Sequence, residues 1–193
     1  NLATGEGGMV VTDSKVFSKR IENLRSHGMT SLSWERYKGR AYSYDVVALG
    51  YNYRFDEIRA ALGRVQLTKL AQNNRKRAAL TKHYLDLLKS VQELRIPFRE
   101  RKEMVSHHIF PVILSERINR FKLMDALAKD GLQPSIHYPP VHKMAIYREQ
   151  RKNKLPLTET VGRRELTLPM HPGLNFSDVE RIAGALKNYL KRP

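Results

Sequence analysis

The chain has 193 residues, 41% hydrophobic and 28% charged, which is material for one domain or one and a piece, with a real core and not a disordered tail. It contains no cysteine, which excludes a disulfide scaffold, thiolate metal ligands and thiol catalysis, and no apolar run approaches the ~18–20 residues of a spanning helix. Thirty-five Lys and Arg against 19 Asp and Glu leave a net charge of +16, so polyanion binding has to be weighed, and a soluble cytoplasmic protein without a leader segment is the expectation.

Gly5-Glu6-Gly7-Gly8 predicts a tight turn, and Met9 to Thr12 a short strand after it. The turn could also bring backbone close to a ligand, but its spacing matches neither a P-loop nor a dinucleotide fingerprint. Asp13 and Ser14 can cap a helix carrying Val16, Phe17, Ile21 and Leu24 at helical spacing, with Gly28 as its stop. Residues 29–49 lack periodicity and hold Trp34, Tyr37, Tyr42 and Tyr44, as a long aromatic loop would.

From Phe55 onward, Ile58, Ala61, Leu62, Val65 and Leu70, then Leu80, Tyr84, Leu87 and Leu88, predict one or two helices. About 35 residues at 1.5 Å each would reach ~50 Å, a length suited to linking subdomains. The remainder reads as α+β. Strands are predicted at 108–114, 134–138 and 166–169, and helices at 118–132, 158–166 and from Ser177, where Ser177 and Glu180 have capping-box spacing.

Three groups of residues could carry chemistry. Asn52 and Arg54 lie in Gly50-Tyr51-Asn52-Tyr53-Arg54, just ahead of the long helix, where an amide, a guanidinium and free backbone N–H groups suit an anion such as phosphate. An ordinary Asn/Asp-type helix entry with a surface arginine reads equally well. His137, Tyr138 and His142 fall in a His-Tyr-Pro-Pro-Val-His turn. The prolines forbid a regular helix there, so the histidines do not form a helical zinc face and no metal is expected. A histidine and tyrosine held on a rigid turn at a cleft, or a half-buried histidine packed in a turn, both remain open. The basic residues of the long helix spread around its circumference, and no nucleic-acid-binding module accompanies them, so a polyanion-binding module is only the alternative from another class.

Taken in order, several segments resemble the DegT/DnrJ/StrS-type sugar aminotransferases, a pyridoxal-phosphate (PLP) family of the aspartate-aminotransferase fold type I. They are Thr4-Gly5-Glu6-Gly7-Gly8-Met9, Arg25-Ser26-His27-Gly28, Gly50-Tyr51-Asn52-Tyr53-Arg54, Ala60-Ala61-Leu62-Gly63 and Val65-Gln66-Leu67. His137-Tyr138-Pro139-Pro140 through His142 and Leu168-Pro169-Met170-His171-Pro172-Gly173-Leu174 continue the same register.

The resemblance implies an α/β fold: the end of the large PLP-binding domain (1–54), a long linking helix or helices (55–92) and a small α+β C-terminal domain (93–193). It places the Schiff-base lysine immediately before Asn1, so no catalytic residue is expected within the chain, and the chain alone is expected to be inactive. It gives Asn52 the PLP phosphate of the neighbouring subunit in a homodimer and Arg54 a supporting place at that corner. Trp34 and Tyr37 would lie near the partner's active site, and His137, Tyr138 and His142 would face the sugar or its diphosphate. The implied reaction moves an amino group, commonly from glutamate, through the cofactor to a nucleotide-linked keto-sugar for cell-surface glycan, lipopolysaccharide or secondary-metabolite synthesis. A PLP-dependent sugar dehydratase and a non-catalytic PLP-binding regulator are the alternatives within the family.

Overall fold

The structure is a computed structural model, and it describes residues 1–30, 37–39, 42–101, 103, 105–150 and 154–191, with the side chains of 148–150 excepted. The chain divides into two compact units, Leu2–Lys69 and Leu70–Pro193, with Asn1 joined to the second. No helix among the described residues is long and apolar enough to cross a membrane.

The unit Leu2–Lys69 contains helix α1 (Lys15–Arg25) and the first part of α2 (Glu57–Leu88). Ser14 starts α1 by accepting the Phe17 N–H on its hydroxyl, which satisfies one of the free donors of the first turn. The predicted strand at Met9–Thr12 does not form. A strand is held by ladder partners, and among the described residues these have none; Met9, Val10 and Val11 stand exposed. The 32 residues of α2 run as one helix despite Gly63 and the polar 72–74 stretch.

The unit Leu70–Pro193 has a sheet of three antiparallel strands in the order β1 (Leu94–Arg95), β2 (Phe110–Leu114), β3 (Glu165–Leu168). The register pairs Phe110 with Leu168 and Val112 with Leu166. Around it lie the second part of α2, α3 (Arg120–Lys129), α4 (Pro156–Arg164) and α5 (Phe176–Leu190).

Leu80, Tyr84 and Leu88 recur every four residues on α2, and Val179, Ile182, Ala183, Leu186 and Leu190 give α5 a matching apolar stripe. With Leu123 and Leu127 of α3 and the strand residues Phe110, Val112, Leu114, Leu166 and Leu168 they form one core. Tyr84 is fully buried, stacks on Phe110 at 4.6 Å and donates its hydroxyl to the Pro169 carbonyl at 2.9 Å. That bond removes the cost of burying a phenol with no partner.

Two further boundaries differ from the sequence reading. Helix α5 is capped by Asn175, not Ser177: Asn175 accepts the Asp178 N–H at 2.9 Å, and Asp178 accepts the Asn175 N–H at 2.9 Å. The box therefore starts two residues earlier, and Glu180 instead meets His83 at 3.1 Å. The strand expected over Pro134–Tyr138 reduces to a single bridge between Ser135 and Thr167. Prolines at 134, 139 and 140 have no N–H to donate, and the His137 N–H goes to the Glu165 carboxylate at 3.0 Å.

Candidate functional site

In the unit Leu2–Lys69, the Asn52 segment is set by the end of α1. His27 and Gly28 both take positive φ, 61° and 70°, and turn the chain back on itself. The Gly28 N–H bonds to the Asn23 carbonyl at 2.8 Å, in the manner of a helix C-cap. Residues 51–53 then run antiparallel to 25–27: the His27 N–H donates to Tyr51 O and the Tyr53 N–H to Arg25 O, each at 2.9 Å. The two segments cross so closely that a Cβ on Gly28 would stand 1.9 Å from the Ala48 carbonyl oxygen, and one on Gly50 2.0 Å from the Gly28 nitrogen. Only glycine fits either position.

Side chains alternate along extended backbone, so Tyr51 and Tyr53 share one side and stack at 5.1 Å, while Asn52 leaves from the other. Asn52 and Arg54 are both exposed, and neither side chain has a partner among the described residues. The start of α2 itself is taken: Asp56 accepts the Arg59 N–H at 2.8 Å. The free helix amides expected from the sequence are thus partly satisfied by a carboxylate, and anion affinity in this segment rests on the Asn52 amide and the Arg54 guanidinium. Glu6 is exposed in its glycine turn, without a side-chain partner among the described residues. Tyr37 is 83% exposed, and Trp34 lies outside the described residues.

The His-Tyr-Pro-Pro-Val-His turn belongs to the unit Leu70–Pro193, where α4 and β3 fasten it at three points. At its start, Glu165 Oε2 accepts the His137 main-chain N–H, and His137 Nδ1 lies 3.0 Å from Thr167 Oγ1. In its middle, Pro140 packs against Gly162. At its end, Glu159 meets His142 Nε2 at 3.4 Å and forms a close ion pair with Lys143. The Lys143 hydrogen bond pulls the Glu159 carboxyl down to about 2, against partial desolvation and with help from His142. Tyr138 is exposed and meets the His137 ring edge-on at 4.8 Å. The junction behind the turn is tied by Arg120, whose Nη1 donates to the Gly162 and Glu165 carbonyls at 2.6 and 3.0 Å. Burial lowers the Arg120 pKa from its usual value, opposed by the charge of Glu165.

The structure thus brings Asn52 and Arg54 onto one segment, and His137, Tyr138 and His142 onto one turn. Glu159, Glu165, Thr167 and Lys143 were not singled out in the sequence. The only available signal was Glu165, a carboxylate at the start of the fully buried strand β3. Of the other histidines, His108 Nδ1 meets Asn1 Oδ1 at 2.7 Å, and burial lowers the pKa of both His107 and His108. Among the described residues, no three His, Asp or Glu gather closely enough to hold a metal ion.

Residues 1–187 match the DegT/DnrJ/EryC1/StrS aminotransferase family. An uncharacterised protein of Methanocaldococcus jannaschii is 31% identical over 97% of this chain and 50% of its own length. Among solved structures, the aminotransferase TlmJ from Streptoalloteichus hindustanus is 27% identical with a TM-score of 0.85, covering 98% of this chain and 49% of that one. DesV of S. venezuelae, solved in complex with a ketimine intermediate, is 28% identical with a TM-score of 0.81, covering 95% and 46%. The chain spans about half the length of these relatives. With nearly every described residue inside the match, the chain belongs to the DegT/DnrJ/EryC1/StrS aminotransferase family and has its α/β fold, that of the type I PLP-dependent aminotransferases.

Proposed function

We propose that the protein is a PLP-dependent aminotransferase that moves an amino group from glutamate to a nucleotide-linked keto-sugar. The observation that carries this reading is the family match over residues 1–187. In it, 1–54 complete the large cofactor domain, 55–92 form the linking helix, and 93–193 form the small domain. PLP supplies, when bound, an electron sink for the carbon that gains or loses the amine.

The residues present suit that cofactor. Asn52 and Arg54 offer an amide and a guanidinium, both exposed and unpartnered among the described residues, as a phosphate requires. Their place on a segment pinned to the end of α1 limits the conformational freedom lost on binding. In a homodimer they would reach the phosphate in the neighbouring subunit, with Trp34 and Tyr37 beside that site. His137, Tyr138 and His142 would orient the sugar and its diphosphate, and the surplus of basic residues favours that anionic substrate.

The test is absorbance of the full gene product with PLP. Expected are a yellow cofactor band that bleaches on adding glutamate, amination of a keto-sugar nucleotide, and about tenfold weaker PLP retention in Asn52→Ala. A protein that retains no PLP, or whose cofactor band is indifferent to every amino donor, overturns the reading.

A further inference from the structure

The hydrogen bonds around His137 permit one placement of its ring proton. Glu165 is buried in β3, and its carboxylate accepts the His137 main-chain N–H on Oε2 at 3.0 Å and the Thr167 hydroxyl on Oε1 at 2.5 Å. A hydroxyl has one proton, and that of Thr167 goes to Glu165; toward the ring, Thr167 Oγ1 can therefore only accept. His137 Nδ1 lies 3.0 Å from that oxygen, so Nδ1 is the donor. Ser135 Oγ, 3.3 Å from the same nitrogen, can accept as well. In the neutral ring the bare nitrogen is then Nε2, which has no hydrogen-bond partner among the described residues.

We infer that Glu165 and Thr167 are positioning residues that fix His137 as its Nδ1–H tautomer, so that Nε2 faces the ligand as a hydrogen-bond acceptor for a sugar hydroxyl. The inference deepens the function proposed above and rests on it for the identity of the ligand. Its chemistry is selective. A bare imidazole nitrogen accepts from a hydroxyl, whereas phosphate oxygens are acceptors themselves and gain nothing from it. In the neutral ring, His137 Nε2 therefore pairs with a sugar hydroxyl in preference to a phosphate oxygen. The same carboxylate grips the main chain of His137, so one buried group sets both where the ring stands and which nitrogen it offers.

The tautomer is read by 15N NMR of the histidine-labelled full gene product, without substrate and above the usual titration range of histidine, with His137 assigned by comparison with His137→Asn. The wild type is expected to be Nδ1–H. Glu165→Gln should invert the tautomer: the new carbonyl must accept the His137 main-chain N–H, its NH2 then donates to Thr167, and the Thr167 hydroxyl donates to Nδ1. Thr167→Ser should keep the wild-type tautomer, and Thr167→Val should lose the preference. The KM for the sugar nucleotide should rise about tenfold in Glu165→Gln and Thr167→Val but not in Thr167→Ser, with the glutamate half-reaction unchanged.

An Nε2–H ring in the wild type, or an unaltered tautomer in Glu165→Gln, overturns the inference. So do the expected tautomers with an unchanged KM. Should Glu165→Gln fail to fold, the wild-type and Thr167→Val spectra decide. Because the spectra need no substrate, a protein that fails to aminate sugars defeats the proposed function while the Glu165–Thr167 relay is judged separately.

Discussion

The units Leu2–Lys69 and Leu70–Pro193 receive similar apolar residues and treat them in opposite ways. In the second, α2, α3, α5 and three strands close around one core, and Tyr84, Leu114, Leu127, Leu166 and Leu186 are almost completely removed from water. In the first, Met29 is the only buried apolar side chain among the described residues, while Val10, Val11, Phe17, Ile58 and Leu62 stand exposed. Its order comes instead from backbone hydrogen bonds around His27, Gly28 and residues 51–53. Helix α2 shows the contrast within a single element: its residues before Leu80 bury nothing fully, and those from Leu80 onward form one wall of the core. Periodicity therefore marks which side chains can be buried, but not whether another element is there to cover them. An exposed apolar surface of this kind is characteristic of interaction sites.

Core substitutions should break the comparison most sharply. Leu127→Ala should cost about 2–5 kcal/mol in urea denaturation through lost transfer energy and a residual cavity. Val11→Ala should stay within about 0.5 kcal/mol, as exposed positions do. Equal effects from the two would show that the units are not distinct in their packing.

Gly50→Ala tests the other mode of order. Its Cβ would stand 2.0 Å from the Gly28 nitrogen, and forcing the segments apart should cost about 1–3 kcal/mol. Hydrogen exchange should locate the loss at the His27, Tyr51 and Tyr53 amides and leave the β2 and β3 amides protected. Uniformly faster exchange throughout the chain would contradict that division.

Removing the α5 cap with Asn175→Ala should cost about 1 kcal/mol, seen as a lower unfolding midpoint with unchanged slope. The mildest effect is expected at Glu159. Its carboxyl lies lower in the folded state, at about 2, than the 4.5 of an unperturbed glutamate. Its contribution is therefore complete above about 4.5 and is lost as the pH falls from there toward 2. Glu159→Gln should flatten the stability profile in that window and leave the slope above it unchanged. Because the group is partly exposed, added salt should weaken the effect.

Much of the fold was legible because it rests on local rules. The stripes of α2 and α5, the capping role of Ser14 and the strands expected at 108–114 and 166–169, which form at 110–114 and 165–168, are written as spacing and end signals. What misled was any segment whose state depended on a distant partner. Met9–Thr12 has strand composition but no ladder neighbour among the described residues, and Ser177-x-x-Glu180 has capping spacing while Asn175 holds the real cap. In the site, His137 and Asn52 stood out by residue type and setting. Glu165 and Thr167 did not, because 28 and 30 residues separate them from His137.

The sequence by itself determined most element types, the helical character of the run after Phe55, the family and the segments that hold the candidate residues. It could do so because helical period, caps, prolines and ordered motifs act over a few residues. Only the tertiary structure decided which apolar faces are covered, how α1 pins Asn52, and that a buried carboxylate sets the proton on His137. Those outcomes depend on groups far apart in the chain meeting at hydrogen-bond distance, which no local pattern encodes.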